Sequence, residues 1–275
     1  ANMNISGDNL TFANSGVYTG GNSIASLTGG VSKLTSSPKL NLAITIPNNV
    51  SFPIWGMGQS NITANGNINI SGVPINPQLK GTVKLPDISI KDMDFALKNL
   101  TAHLNGSVLN GSATADEFKF GGIIANNISS KFSLKDYTTF YLTDMVGDAF
   151  NGKVNGNISY GINDTSIGVN LKGKGLNSTD AVYGAAGIKN ALTGTLGFSA
   201  KLAMRGVTDK EIINSMKGNI TFNIDEGRFM SIGKLENLVA AQNVSSNSIL
   251  KAAVSSLSGL STIQEADKYK SITGE

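Results

Sequence analysis

Cysteine is absent from the 275 residues, and histidine and tryptophan occur once each. With no thiol, the chain has no disulfide, no thiolate metal site and no cysteine nucleophile. Such usage fits a bacterial envelope protein held together by sheet hydrogen bonding. Aromatic residues make up only 7% and charged residues only 15%. The polar remainder is Gly, Asn, Ser and Thr, which argues against a charged disordered tail and against a helical enzyme. Net charge is +3, from 22 Lys+Arg against 19 Asp+Glu, with no basic run. A nucleic-acid partner is not expected from that distribution. No signal peptide or membrane-length apolar run is visible. The chain starts inside strand-like sequence (ANMNISGDNL) and stops inside another stretch (KYKSITGE). It is therefore expected to be a fragment of a longer protein, with any anchor outside it.

What is present in quantity is alternation. In NITANGNINIS (61–71), Ile62, Ala64, Ile68 and Ile70 share one parity, and Asn61, Thr63, Asn65, Asn67 and Asn69 the other. A strand sends alternate side chains to opposite faces, so this stretch has an apolar side and an amide side. The pattern recurs in Val83 and Leu85, then in Ile88 and Ile90 beyond a Pro86-Asp87 break. It continues in Phe118 with Phe120, Phe132 with Leu134, and Phe140 with Leu142. Val154, Ile158 and Tyr160 follow, then Ile167, Val169 and Leu171. Leu196, Phe198, Ala200, Leu202 and Met204 form the longest run, and Ile220, Phe222 and Ile224 the last. Each run has strand length and is separated from the next by polar residues and glycine.

Asn-Gly at 105–106, 110–111 and 151–152, and Gly-Gly at 121–122, read as hairpin turns, because type I′ turns need positive φ at both central residues. The expectation is a long antiparallel meander with one apolar face. Parallel strands buried on both faces would read as continuous apolar runs. Helices are expected only in the second half. In TDKEIINSMK (208–217), Thr208 and Glu211 have capping-box spacing, and Gly218 stands where a helix C-terminal glycine is expected. Residues 177–190 read as a helix capped by Asn177 or Ser178. Apolar stripes place two more at 232–241 and 247–258. These last helices are expected to cap the sheet, the other role open to them being to lie on a membrane. A shift in character divides 1–140, all β, from 141–275, strands with short helices.

Residues suited to catalysis are few. His103 has the parity opposite to Leu100, Ala102 and Leu104, which puts it on the polar face. Asp225-Glu226-Gly227 ends a strand and reads as a turn rather than an acid/base pair or calcium site. Trp55, in FPIWGMG, reads as a packing anchor. No nucleophile elbow, phosphate loop, dinucleotide fingerprint or calcium-binding repeat appears. The chain is read as no enzyme, with no cofactor and no metal.

The function then turns on what the apolar face meets. Two sheets closing on each other would make an ordinary β-sandwich. A single sheet curled into a gutter would instead hold acyl chains. Burying about fifteen methylenes is worth about 12 kcal/mol at ~0.8 kcal/mol each, so moving a lipid through water requires a continuous apolar track. Alternation alone is compatible with both.

From Tyr141-Leu142-Thr143-Asp144 onward, the order of elements resembles the C-terminal region of the AsmA-like family, which includes AsmA, TamB and YhdP. Ala149-Phe150-Asn151-Gly152-Lys153 is similar to one family element. The strand Ile167–Leu171, the helix at 177–190 and the strand Thr195–Met204 follow in the family's order. Met216-Lys217-Gly218-Asn219-Ile220-Thr221-Phe222 and Asp225-Glu226-Gly227-Arg228-Phe229 resemble a second signature, and Lys268–Gly274 its next strand. Residues before about 130 resemble only the style of the degenerate β-repeats such proteins carry upstream.

The resemblance implies an elongated, taco-like gutter in the periplasm of a two-membraned bacterium. It also implies a bridge between inner and outer membranes that shields phospholipid acyl chains, anchored by an inner-membrane segment beyond this chain. The family has no catalytic residues to carry over. The implied lipid-binding groove consists of the inward residues of the runs above: Ile68, Ile70, Val83, Leu85, Phe118, Phe120, Phe132, Leu134, Phe140, Leu142, Val154, Ile158, Ile167, Val169, Leu171, Leu196, Phe198, Leu202, Ile220, Phe222 and Ile224. The competing expectation is a periplasmic scaffold or outer-membrane assembly factor with a closed sandwich core and no ligand.

Overall fold

The strands pair in the order in which they occur in the chain, each with the one before and the one after, as an antiparallel meander. The computed structural model describes residues 2–19, 22–53, 61–90, 94–107, 109–186, 192–228 and 269–274. Fifteen strands and two helices lie among them. Two compact units divide the chain, Ala1–Phe118 with Ser129–Tyr137 and Lys119–Ile128 with Thr138–Glu275.

The first unit holds β1 (Met3–Ser6), β2 (Asn9–Thr19), β3 (Asn22–Ser32), β4 (Lys39–Pro53), β5 (Asn61–Val73), β6 (Asn76–Ile90) and β7 (Phe95–Ser107). It also holds most of β8 (Asn110–Phe120) and the second half of β9 (Ile123–Lys135). These strands are long because bulges join runs that the sequence shows as separate. The Pro86-Asp87 break is crossed differently, without a shift in the pairing with β7. Leu85 faces Leu100, Asp87 faces Lys98 and Ile88 faces Leu97, so apolar pairs recur after three residues rather than two. Asn99 has φ 52°, and this left-handed residue turns the side chains beyond it while the pairing with β6 keeps an unbroken register. Lys98 and Asn99 are consequently both exposed, while Leu97 and Leu100 stay half-buried. β8 steps at the same level, from Ala113 and Ala115 to Phe118. Its polar doublet meets that of β7, Lys98 pairing with Glu117 at 2.6 Å and Asn99 donating to Asp116 at 2.8 Å.

The second unit holds the first half of β9, β10 (Thr139–Ala149), β11 (Gly152–Gly161), β12 (Ser166–Asn177), β13 (Thr195–Arg205), β14 (Lys217–Gly227) and β15 (Tyr269–Gly274). Helix α1 (Ser178–Ala186) follows β12, and α2 (Asp209–Ser215) joins β13 to β14. Asn177 caps α1, its Oδ1 accepting the Asp180 amide at 3.0 Å. The expected capping box opens α2. Glu211 accepts the amides of Val207 and Thr208, and the Thr208 hydroxyl accepts the Glu211 amide. Bulges recur here too. β10 shifts register between Leu142 and Met145 around Asp144, at φ 52°. β12 shifts between Gly173 and Leu176 around Gly175, at φ 71°.

Several expected turns fall elsewhere. Asn105-Gly106 lies inside β7 and Asn110-Gly111 opens β8, so neither is a turn. The third turn is centred on Phe150-Asn151, with φ 48° and 62°, and Gly152 already belongs to β11. Only Gly121-Gly122 sits between strands as expected, with Gly121 at φ 57°. Gly218 is not a helix cap. It lies within β14 opposite Leu202, where a Cβ would run into the Lys201 carbonyl. The same glycine preference serves turns, caps, bulges and close strand approach, so its position cannot be read from local sequence. Trp55 and the stretches at 232–241 and 247–258 lie outside the described residues.

Candidate functional site

In an antiparallel pair, directly opposed residues share a face, so the register shows which side chains form one surface. In the second unit the apolar residues line up in rows across the strands. Phe140 opposes Tyr160, which neighbours Ile167 and then Met204. Leu142, Ile158, Val169 and Leu202 form the next row, followed by Met145, Gly156, Leu171, Ala200 and Ile220. Val154, Gly173, Phe198 and Phe222 form another, then Leu176, Leu196 and Ile224. Phe120, at the end of β8, is half-buried. The register therefore brings together the proposed residues of β10 to β14 on one face.

The first unit repeats the arrangement. Leu42, Ile70, Leu79 and Gly106 make one row, and Ile44, Ile68, Gly81 and Leu104 another. Val83 lies between Gly66 and Ala102, and Leu85 opposes Leu100. Phe118 packs edge-to-face on Phe95 with ring centroids 5.7 Å apart. Phe132 is buried over Gly111, where an added Cβ would approach its ring at 2.9 Å. Leu134 is half-buried, its amide bonded to the Leu109 carbonyl at 2.8 Å.

Exposure is the informative property of this face. Among the described residues, six of the eleven buried apolar side chains are alanines, and the others are Leu104, Phe132, Leu176, Leu192 and Ile224. Of the proposed groove residues only Phe132 (6%) and Ile224 (3%) are buried, the rest are half-buried, and Ile220 is 44% exposed. The large apolar side chains touch their neighbours along the sheet but retain accessible surface. Relief comes from glycine. Phe198 lies over Gly173, its cross-strand partner, so closely that a Cβ there would collide with the ring. Sequence reasoning missed the contributions of Met145 and Leu176, which join the face only because the bulges at Asp144 and Gly175 re-aim them. An Asp or Gly interrupting an alternating run is the available signal.

The opposite face is polar. Asn67, Thr82 and His103 form a row, as do Asn69, Lys80 and Asn105. His103 is exposed on that face, as its parity predicts, with Nδ1 3.0 Å from the Thr82 hydroxyl. Asp225, Glu226 and Gly227 belong to β14 rather than to the expected turn, Asp225 lying between Thr195 and Ser271 and accepting the Asn223 amide at 3.0 Å. Among the described residues, no group of three histidine or acidic side chains is placed to hold a metal ion. No helix among them is long and apolar enough to cross a membrane. Four exposed charged groups shift from their ordinary ionisation. The Glu117 carboxylate raises Lys98, while Lys153 and the Asn127 amide lower Asp148. Ser166 lowers Asp164, and the amides of Val207 and Thr208 lower Glu211.

Fold and site together define a mainly β, antiparallel meander in which each unit carries apolar rows on one face of its strands and polar rows on the other. Comparison with protein-family models, curated proteins and solved structures finds no match.

Proposed function

We propose that the chain is a segment of a bridge-like lipid transfer protein of the AsmA-like type. In this reading the sheet curls into an open gutter whose apolar face shields phospholipid acyl chains between the inner and outer membranes of a two-membraned bacterium. An anchor outside this chain holds it at the inner membrane, and it acts in the periplasm as a passive conduit without catalytic residues or cofactor. The observation that carries the reading is the set of apolar rows in which most of the large side chains are only half-buried, Leu104, Leu176 and Ile224 being buried exceptions. A sandwich core buries such side chains against a second sheet, at roughly 25 cal/mol per Å² of apolar area. Half-exposed rows in both units leave that gain available to an acyl chain.

Photo-crosslinking on the purified chain, freed of membranes, tests it. A crosslinker at Ile70 or Phe198 should yield phospholipid adducts by mass spectrometry, and one at Asn69 or Ser199 none. Absence of lipid at all four positions, together with protection of Ile70 and Phe198 from solvent, would replace the conduit with the closed, ligand-free scaffold.

A further inference from the structure

The polar face of the second unit carries an arrangement that the conduit reading does not use. Lys153 on β11 directly opposes Lys174 on β12. Lys172 lies two residues further along β12, opposite Ser199, and Lys201 is two residues beyond Ser199 on β13. Lys201 opposes Asn219, which places Lys217 one diagonal step further on β14. With strands about 4.8 Å apart and alternate residues about 6.8 Å apart, the five form a diagonal track with Cα steps of about 5 to 8 Å. All five are exposed, and Asn155, Asn157, Asn170 and Thr221 lie beside them.

Carboxylates are sparse there. Asp148 is taken by Lys153 and by the Asn127 amide. Asp225, at the far end of β14, accepts the Asn223 amide, and Asp164 pairs with Arg205 at the β11–β12 turn. Lys172, Lys174, Lys201 and Lys217 form no ion pair among the described residues. Like charges directly opposed on a sheet are destabilising, and a face otherwise built of Asn, Ser and Thr has neutral alternatives for each position.

We propose that this lysine track docks on an anionic lipid bilayer surface. The track sits on a sheet face without aromatic side chains among its neighbours, so it has no stacking platform for a single-stranded nucleic acid. Its cations are lysines, which act as point charges, rather than the guanidinium forks that recognise one phosphate with fixed geometry. What it offers is charge density spread over four strands, which complements a surface of many mobile phosphate headgroups. This docking uses the face opposite the apolar rows and does not depend on the conduit.

The test is partitioning of the whole chain onto vesicles containing about one-third phosphatidylglycerol in phosphatidylcholine. Lys172→Gln/Lys174→Gln/Lys201→Gln should lower partitioning at least about tenfold, since each lysine near an anionic leaflet contributes independently. Lys39→Gln/Lys80→Gln/Lys84→Gln removes the same charge from the first unit and should lower it less than about threefold. Lys201→Glu alone should act in the direction of the first triple, and circular dichroism confirms that each variant is folded. Equal losses from both triples, equal binding to pure phosphatidylcholine, or preference for soluble heparin over the vesicles would each overturn the proposal. Lipid adducts at Ile70 are read without vesicles, so that experiment and this one fail separately.

Discussion

Asn99 donates its side-chain amide to the Asp116 carboxylate at 2.8 Å, where both strands shift their apolar side chains by one position. Lys98 and Glu117 pair beside them, and Asp87 stands across from Lys98 on the third strand. The polar doublets occupy the outer face and so let the apolar side chains of β6, β7 and β8 continue along one surface. A step that looks like an interruption in the alternation is shared by neighbouring strands, so their apolar side chains stay opposed beyond it.

Replacement of Asn99 tests its left-handed conformation directly. At φ 52°, a β-branched residue is strained, by about 1 to 3 kcal/mol on typical values. Asn99→Val should therefore lower stability in urea unfolding by clearly more than Asn99→Gly, which loses the Asp116 bond but keeps the backbone geometry. Equal effects from the two variants would show that the conformation is not what matters at this position.

Gly173 is expected to tolerate no side chain. Its added methyl would enter the Phe198 ring, and overpacking of this kind costs typically 1 to 3 kcal/mol, so about that loss is expected for Gly173→Ala. Trimming the ring in Gly173→Ala/Phe198→Leu should recover part of the loss. A double-mutant cycle in chemical denaturation measures the coupling, and strict additivity would contradict the contact.

The α1 cap is a local test. Asn177→Ala removes the acceptor of the Asp180 amide and should cost about 1 kcal/mol, while Asn177→Asp should be nearly neutral. Hydrogen exchange at Asp180 reports the change without requiring global unfolding.

Acidification should loosen the start of α2. The amides of Val207 and Thr208 hold the Glu211 carboxyl below the usual glutamate range, so the folded form binds its proton less readily than the unfolded chain. The stabilisation is then fully present above the usual glutamate value and is lost as pH falls through the lower, folded one. The NMR shifts of the Val207 and Thr208 amides should titrate with that depressed midpoint. Glu211→Gln should abolish the titration. A midpoint at or above the ordinary glutamate value would contradict the capping box.

Much of the architecture was legible locally. The parity of Asn67 and Ile68 assigns each to its face, and the same rule correctly put His103 on the polar face, where the register sets it opposite Thr82. The Thr208-to-Glu211 spacing located α2, and Asn177 was among the caps named for α1. Turn placement was less legible. Asn105-Gly106 is more permissive of positive φ than Phe150-Asn151, yet only the second forms a turn, because the first is held in the ladder by Leu79 and Lys80 across from it.

The sequence by itself determined the face of side chains within each unbroken alternating run, the antiparallel meander and the helix N-terminal caps, because these depend on residues close along the chain. Tertiary structure alone decided the register that aligns Leu142, Ile158, Val169 and Leu202 in one row. It also decided which glycines became bulges and how far Phe198 and Ile220 were left uncovered. Those outcomes depend on partners distant in sequence, whose backbones must pair before a local preference for positive φ or an apolar surface can be assigned its place.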